Sequence, residues 1–352
     1  MALEKTIISP SEASGIVNYA YTETNTLLPL SSVFPMKSLN GEKTVIWAPT
    51  LPGVESGLVE YRAWDAEAGY GSTIAQSQER SAPLIPMAKK MHVSERDIIG
   101  HLGDKTFLRN RMAELFTQLG QEAAVTTELA RLHVLVDAKL EINSNNIKGT
   151  WNFERPAALN NVTPAKKWGT ATSDPQQDIE AWVKLIRAAN GRTPSAALTT
   201  SGVIAALRTN KRVIQDLTKL PEAQAPTRIG DDDVMTWFRT YTPLKTVRVI
   251  DDMYTQFERD NGLLLPLNLS TVVPDGTFIM FSSFNDQTLG FTASGPTAEA
   301  DDPEYEIGRA VNEGMIGVVM SEAAPVRYDL WVNGTVMPIL QQAVSTFKAN
   351  VL

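Results

Sequence analysis

The sequence predicts an α+β protein, and three observations carry that reading. A long run beginning at Asp104 places Leu108, Met112, Leu115, Leu119, Thr126, Leu129, His133, Val136 and Leu140 at spacings of three, four or seven, the signature of one helical stripe. Short β-branched or alternating stretches stand on both sides of it, from "KTVIWA" to "MIGVVMSEAAPVRYDLWVNGTVMPIL". Beyond Asp174, helical and strand-like pieces alternate at short intervals, as in a compact α/β region.

Residues 1–42 alternate small apolar pieces with Ser, Pro, Asn and Gly, a composition that predicts an extended arm. "KTVIWA" reads as a strand closed by "PTLPG". The segment "GLVEYRAWDAEAGYGSTIAQSQERSAPLIP", Gly57 to Pro86, alternates in "GLVEYRAW", and its continuation "DAEAGYGSTIAQSQE" turns at Gly69 and Gly71 and has a return leg whose one strongly apolar residue is Ile74. It predicts a long, poorly cored hairpin. "SERD" is a helix start with Ser94 as cap, and Gly100 and Gly103 stop that short helix. A helix from Asp104 to Leu140 would be roughly 55 Å long at 1.5 Å per residue. Its mixed stripe lacks sustained a and d positions, so the pattern predicts a spine packed against a sheet. "IKGTWNFERP" reads as a strand and the Asn- and Pro-rich stretch after it as a boundary. Asp174 or Asp178 caps "IEAWVKLIRAAN", Gly191 ends it, and Ile179, Trp182, Val183 and Ile186 form its apolar face. "SAALTT" is a strand, "SGVIAALRTNKRVIQDLTKL" one or two helices, "DDVMTWFRTY" a helix, and "LKTVRVID" and "DGTFIMFSS" strands. The last strands flank Pro325 and return to a sheet elsewhere.

Composition narrows the chemistry. The chain has 352 residues, 43% of them apolar and 20% charged, with a net charge of -8 and no cysteine. An acidic chain lacks the clustered Lys and Arg that grip phosphate backbones. Without cysteine there is no disulfide, thiolate metal site or Cys nucleophile. No run reaches the roughly 20 apolar residues of a membrane helix, and no secretory leader is legible, which predicts a soluble cytoplasmic protein without a membrane partner. The three histidines, His92, His101 and His133, lack the spacing of a zinc helix. "GHLGDKT" does not keep the spacing of a phosphate loop. Asp231, Asp232 and Asp233 read as helix-capping charge, and Asp251 and Asp252 as the end of a strand; a cation site at these clusters is the weaker reading. Lys89-Lys90 and Lys166-Lys167 are solvated or inter-subunit pairs. No catalytic residue, cofactor or metal is predicted.

The order of elements resembles the Hong Kong 97 fold of tailed-phage major capsid proteins, and more specifically the lambda-type, phage capsid protein E family. The stretches that carry the resemblance are "EKTVIWAPTLPGVESGLVEY", "KKWGTATSDPQQDIEAW", Val273-Pro274-Asp275-Gly276-Thr277 and "MSEAAPVRYDLWVNGTVMPI". The resemblance spans nearly the whole chain but rests on order, not on one specific motif. It implies an N-terminal arm at 1–42, a strand and extended loop at 43–88, a peripheral domain with the spine helix at 89–165, an axial domain at 166–300, and a return to the peripheral domain at 301–352.

A two-stranded ribbon with no face to bury is marginal alone. The hairpin is therefore expected to hold a neighbouring subunit through Tyr61, Arg62, Trp64, Asp65, Glu67, Tyr70 and Ile74, and the arm to do so through Phe34. The function implied is that of a structural shell subunit, not an enzyme: hexamers and pentamers of an icosahedral shell that encloses double-stranded DNA without sequence-specific binding, assembled in the host bacterial cytoplasm into the virion capsid. Implied partners are a separate scaffolding protein, since only the arm and loop precede the peripheral domain, a portal protein and, optionally, a decoration or cement protein. Residues 57–88 contain no Lys, so a shell without covalent crosslinks is expected. The alternatives are an encapsulin-like nanocompartment and an α/β enzyme housed in residues 166–300.

Overall fold

The computed structural model describes residues 2–48, 67, 79–144, 147–170, 172–263, 265, 269–307 and 314–352. Two bodies, each around its own sheet, make up the described residues, and one long helix belongs to the core of the first. In the first, here the spine body, strands β1 (Ala2–Glu4), β2 (Met36–Ser38), β5 (Pro86–Val93), β11 (Phe291–Gly295), β12 (Met315–Ala323) and β13 (Val326–Ile339) form a six-stranded sheet of order β1-β12-β13-β11-β2, with β5 also paired to β13. The register sets Val319 opposite Leu330, Met91 opposite Leu330 and Ala293 opposite Met337. All are antiparallel except β2, which runs parallel to β11.

Helix α1 (Pro10–Leu27) packs between this sheet and the spine, α3 (Lys105–Asp137). The expected extended arm at 1–42 is thus corrected: its central 18 residues are helix. Ser9 caps α1 by accepting the Glu12 amide at 3.2 Å, with Pro10 in the first turn where its missing N–H is harmless. Ala13, Val17, Ala20 and Tyr21 then supply a buried face. The Ser, Pro, Asn and Gly content that argued against a helix is overruled by burial, as weak propensities routinely are. Gly120 shows why a glycine stands inside the spine. A Cβ there would lie 2.7 Å from the Val17 carbonyl oxygen and 3.0 Å from Ala20 Cβ, so its absence lets α1 and α3 approach closely.

The spine ends three residues earlier than expected. Ala138 takes a left-handed conformation (φ 52°) and returns its amide to the Val134 carbonyl, and a ribbon of β6 (Lys139–Ser144) and β7 (Ile147–Asn152) begins at once. The buried stripe also departs from the expected one. Leu108, Met112, Leu115 and Leu119 are buried as read, but Thr126 is exposed and Leu129 and His133 are only half-buried. In the C-terminal half Thr127, Glu128, Arg131, Leu132, Val134, Leu135 and Val136 are buried, because other segments enclose the helix there on several sides.

The second body, here the aromatic body, has a four-stranded sheet of order β14-β10-β8-β9, from β8 (Ala196–Thr199), β9 (Thr246–Val249), β10 (Thr277–Phe281) and β14 (Phe347–Asn350). Around it pack α4 (Pro175–Asn190), α5 (Ser201–Arg208), α6 (Lys211–Thr218), α7 (Asp231–Tyr241) and α8 (Ile250–Asn261). Trp168, Trp182, Trp237, Phe238, Phe278 and Phe347 fill its core, with Trp168 5.1 Å from Phe278 and 5.8 Å from Trp182 between ring centroids. The two indoles with no exposure each have an acceptor: Trp168 donates to Asp178 at 2.9 Å and Trp237 to Asp216 at 3.2 Å. Of the two expected caps of α4, Asp174 accepts the Gln177 amide, which frees Asp178 for that indole.

The chain crosses between bodies where no boundary was expected. β11, within the range assigned to the axial domain, joins the six-stranded sheet, and β14, within the expected return to the peripheral domain, joins the four-stranded one. Asp251 and Asp252 begin α8 instead of closing a strand.

Candidate subunit-contact surfaces

The expected contact residues fall in three groups. Tyr61, Arg62, Trp64, Asp65, Tyr70 and Ile74 lie outside the described residues. Glu67 is described and exposed. Phe34 is a correction: its ring is fully buried in the spine body's own core, and a Cβ on Gly290 would sit only 2.7 Å from it. It packs inside the subunit because the chain after α1 turns back onto the spine instead of extending away.

The root of the hairpin segment is well defined. β3 (Thr44–Trp47) pairs antiparallel with β4 (Arg80–Pro83), Trp47 opposite Arg80, so residues 48–79 leave and return at one point. Val45, Trp47 and Ala82 are buried. The Trp47 and Phe153 rings lie 5.9 Å apart, Arg80 pairs with Glu154, and Gln341 Nε2 donates to the Ala48 carbonyl at 3.3 Å. The root is thus fastened to the segment after β7 and to the end of β13.

Exposed apolar side chains mark surfaces that sequence reasoning missed. α2 (Glu95–Gly100) starts with a reciprocal capping box between Ser94 and Asp97, and the hydroxyl of Ser94 together with its own amide holds the Asp97 carboxyl below the usual carboxylate range. Ile99 follows at 59% exposure and Leu102, in the turn to α3, at 77%. Val326, at the turn between β12 and β13, is half-exposed near the same end of the sheet, since β5 leads from Tyr328's partner Val93 into α2. An apolar residue between two turn glycines, Gly100-His101-Leu102-Gly103, was the available signal. Tyr19 projects from the outer face of α1 and Ile46 from β3.

The acidic clusters and histidines take structural places. Asp233 accepts the Gly230 amide at the start of α7 (3.0 Å), and Asp251 accepts the Ser201 amide at the start of α5 (2.9 Å). His101 stacks on Phe107 at 3.4 Å. Lys89 pairs with Glu122 and Lys90 lies over the Trp331 ring. Among the described residues no three His, Asp or Glu side chains are placed to hold a metal ion, and no helix is long and apolar enough to cross a membrane.

The "VPDGT" stretch is explained by packing. The Asp275 carboxylate accepts the Thr200 hydroxyl at 2.7 Å and lies against Gly202, where any Cβ would meet it at 2.2 Å, while Gly276 takes φ 86° to enter β10.

The chain matches the family described as phage major capsid protein E over residues 76–351. In structure it is similar to a capsid protein assigned to a prophage of Escherichia coli CFT073, with 14% identity and a TM-score of 0.58 over 95% of this chain and 97% of that one. It is also similar to a phage-related protein from Bordetella bronchiseptica RB50, with 12% identity and a TM-score of 0.52 over 94% and 95% of the two chains. None of the curated protein sequences compared with it matches.

Proposed function

Because the chain belongs to the phage major capsid protein E family and has the Hong Kong 97 type of fold, we propose that its copies close into an icosahedral shell of hexamers and pentamers around double-stranded DNA. It is a structural protein of the phage capsid. Assembly takes place in the host cytoplasm with a separate scaffolding protein and a portal, and a decoration protein is an optional addition. The shell is held without covalent crosslinks.

The family match carries this reading, and the root of residues 48–79 supports it. One face of that root is buried and the root is fastened to two other segments of the subunit, so its sequence is committed to presenting what lies between. Tyr61, Trp64 and Tyr70 are large apolar groups whose burial we assign to a neighbouring subunit. An aromatic side chain buried at an interface typically contributes about 2 kcal/mol or more. The arm's share of the contacts moves from Phe34 to the exposed Tyr19, and the exposed Ile46 adds to the loop's share at its root.

Replacing Trp64 with Ala, followed by co-expression with the scaffolding protein and negative-stain imaging, tests the assignment. The subunit is expected to stay folded by circular dichroism while closed particles are lost or greatly reduced. An unfolded subunit, or unchanged particle yield, would place Trp64 in the core or on a passive surface and remove the reading.

A further inference from the structure

Glu128 and Arg131 face each other across one turn of α3, and neither side chain has any solvent exposure. Glu128 Oε1 accepts two hydrogen bonds from separate parts of the molecule: the Leu30 amide of the segment after α1, at 2.8 Å, and the Tyr254 hydroxyl of α8, at 3.1 Å. Oε2 meets Arg131 Nη1 at 3.3 Å. Arg131 Nε donates to Thr292 Oγ1 of β11 at 2.9 Å, and that hydroxyl donates to the Phe34 carbonyl at 2.9 Å. Arg131 Nη2 reaches the thioether of Met36 at 3.6 Å, and Tyr21 of α1 exchanges a hydrogen bond with Thr127 beside it at 3.2 Å. One ion pair therefore touches the spine, the segment running from α1 into β2, the six-stranded sheet and the aromatic body.

Stability alone does not account for it. Removing two ions from water costs several kcal/mol each, and only near-ideal geometry offsets that; apolar residues of equal volume often do as well or better. Here the carboxylate–guanidinium contact is long, and one guanidinium nitrogen finds a soft sulfur. Burial pushes the Glu128 carboxyl up and Arg131 opposes it. What such a pair has that an apolar cluster lacks is intolerance of partial separation. Withdrawing Leu30 or Tyr254 slightly leaves a charge in a low dielectric, short of a donor, before water can enter.

We infer that the Glu128–Arg131 pair is an all-or-none latch, which makes the segment at 28–36 and the aromatic body dock on the spine together or not at all. The 28–36 segment continues through β2 into β3, so the latch connects the root of residues 48–79 to α8 within one subunit. It is a property of the single chain and stands whether or not the shell reading holds.

Native-state hydrogen exchange on the full-length subunit tests it. The Val33 and Phe34 amides, which donate to the Leu30 carbonyl, and the amides of α8 around Tyr254 should share one opening equilibrium and one denaturant dependence. Arg131→Met alone should speed exchange in both segments together by about a hundredfold or more, because it strands the buried carboxylate. The double variant Glu128→Leu/Arg131→Met should recover protection to within about tenfold of the parent, yet let the two segments open at separate rates. Separate openings in the parent would overturn the latch. So would a double variant that stays coupled, or one as unprotected as the single. If Arg131→Met does not fold, Tyr254→Phe removes one hydrogen bond; it should speed exchange at Val33 and Phe34, which it does not touch, and unchanged exchange there equally overturns the latch.

Discussion

The aromatic body and the spine body each bury a large core, but they treat polar groups differently. In the aromatic body the deep core is rings, and its buried polar groups are uncharged: hydroxyls and an amide such as Thr199 and Asn210, and indole N–H groups that reach carboxylates nearer the surface, Asp178 and Asp216. In the spine body the deep core holds Glu128 and Arg131 with no exposure, and Arg155 at its border. The difference follows from how each is assembled. The aromatic core draws mostly on one continuous stretch closed by the C-terminal strand, whereas the spine meets the segment after α1, β11 and α8 at a single level. Where many backbone segments converge on one helix, orphan donors and acceptors accumulate, and charged side chains satisfy several at once.

The contrast is broken most forcefully at Trp168. Trp168→Ala removes a fully buried ring from contact with Trp182 and Phe278 and takes the donor from Asp178, whose carboxyl burial already pushes up. The expected loss is about 3–5 kcal/mol in denaturant unfolding. A loss under about 1 kcal/mol would mean that this core is looser than its ring packing implies.

Arg155 is the next largest. Its guanidinium donates to the carbonyls of Leu135 and Val136 at the end of the spine, at 2.6 and 2.9 Å, and to Thr346 Oγ1 ahead of β14 at 2.8 Å. Burial lowers its pKa to about 10, still far above neutrality, so the charge and every donor are retained at pH 7. The cation also sits at the negative end of a helix dipole. Arg155→Met keeps the length and abandons two carbonyls, an expected cost of roughly 2–4 kcal/mol. Since the side chain joins both bodies, thermal melting should shift for probes in each; a shift confined to one would separate them.

Much of the aromatic body was legible, because its signals are local. Ile179, Trp182, Val183 and Ile186 repeat at helical spacing between an Asp cap and a terminating Gly, and the structure places all four in the core. The first half of the spine was legible for the same reason. The second half was not: Glu128 and Arg131 stand off the predicted apolar stripe, and only segments distant in sequence bury them. Helix α1 was hidden by Ser, Pro, Asn and Gly, and Phe34 was recognisable as apolar but not as bound to its own subunit. The hairpin residues Tyr61 to Ile74, apart from Glu67, lie outside the described residues.

Two glycines sharpen the comparison within the spine body, with opposite signs. Gly120→Ala forces a methyl group against the Val17 carbonyl and should cost roughly 1–3 kcal/mol. Gly15→Ala, on the outer face of α1 with nothing within 4 Å, should instead stabilise by up to about 1 kcal/mol, since alanine orders a helix at less entropic cost. Equal effects in a paired thermal melt would mean that α1 is not held against the spine at Gly120.

The smallest effect is expected at Lys89 of β5, whose pair with Glu122 of α3 is the surface counterpart of the buried pair. Lys89 Nζ lies 2.6 Å from Glu122 Oε2, closer than Arg131 lies to Glu128, yet the lysine side chain is 59% exposed. Proximity does not decide the magnitude; the dielectric does. In water-facing surroundings the attraction is weak and is offset by ordering two long side chains, so Lys89→Ala should cost at most about 1 kcal/mol. Glu122 keeps a partner besides, because Gln118 Nε2 donates to its other oxygen at 3.0 Å. Whatever the pair contributes should vanish in about 1 M salt, where the Debye length falls to roughly 3 Å. Melting parent and variant at low and high salt measures this directly: the two should differ slightly at low salt and converge at high. A difference that persists in salt would mean that Lys89 acts through its aliphatic stem on the apolar groove between β5 and the spine, where Met87, Leu119 and Val332 lie beside it, and that packing rather than charge fixes this edge of the sheet.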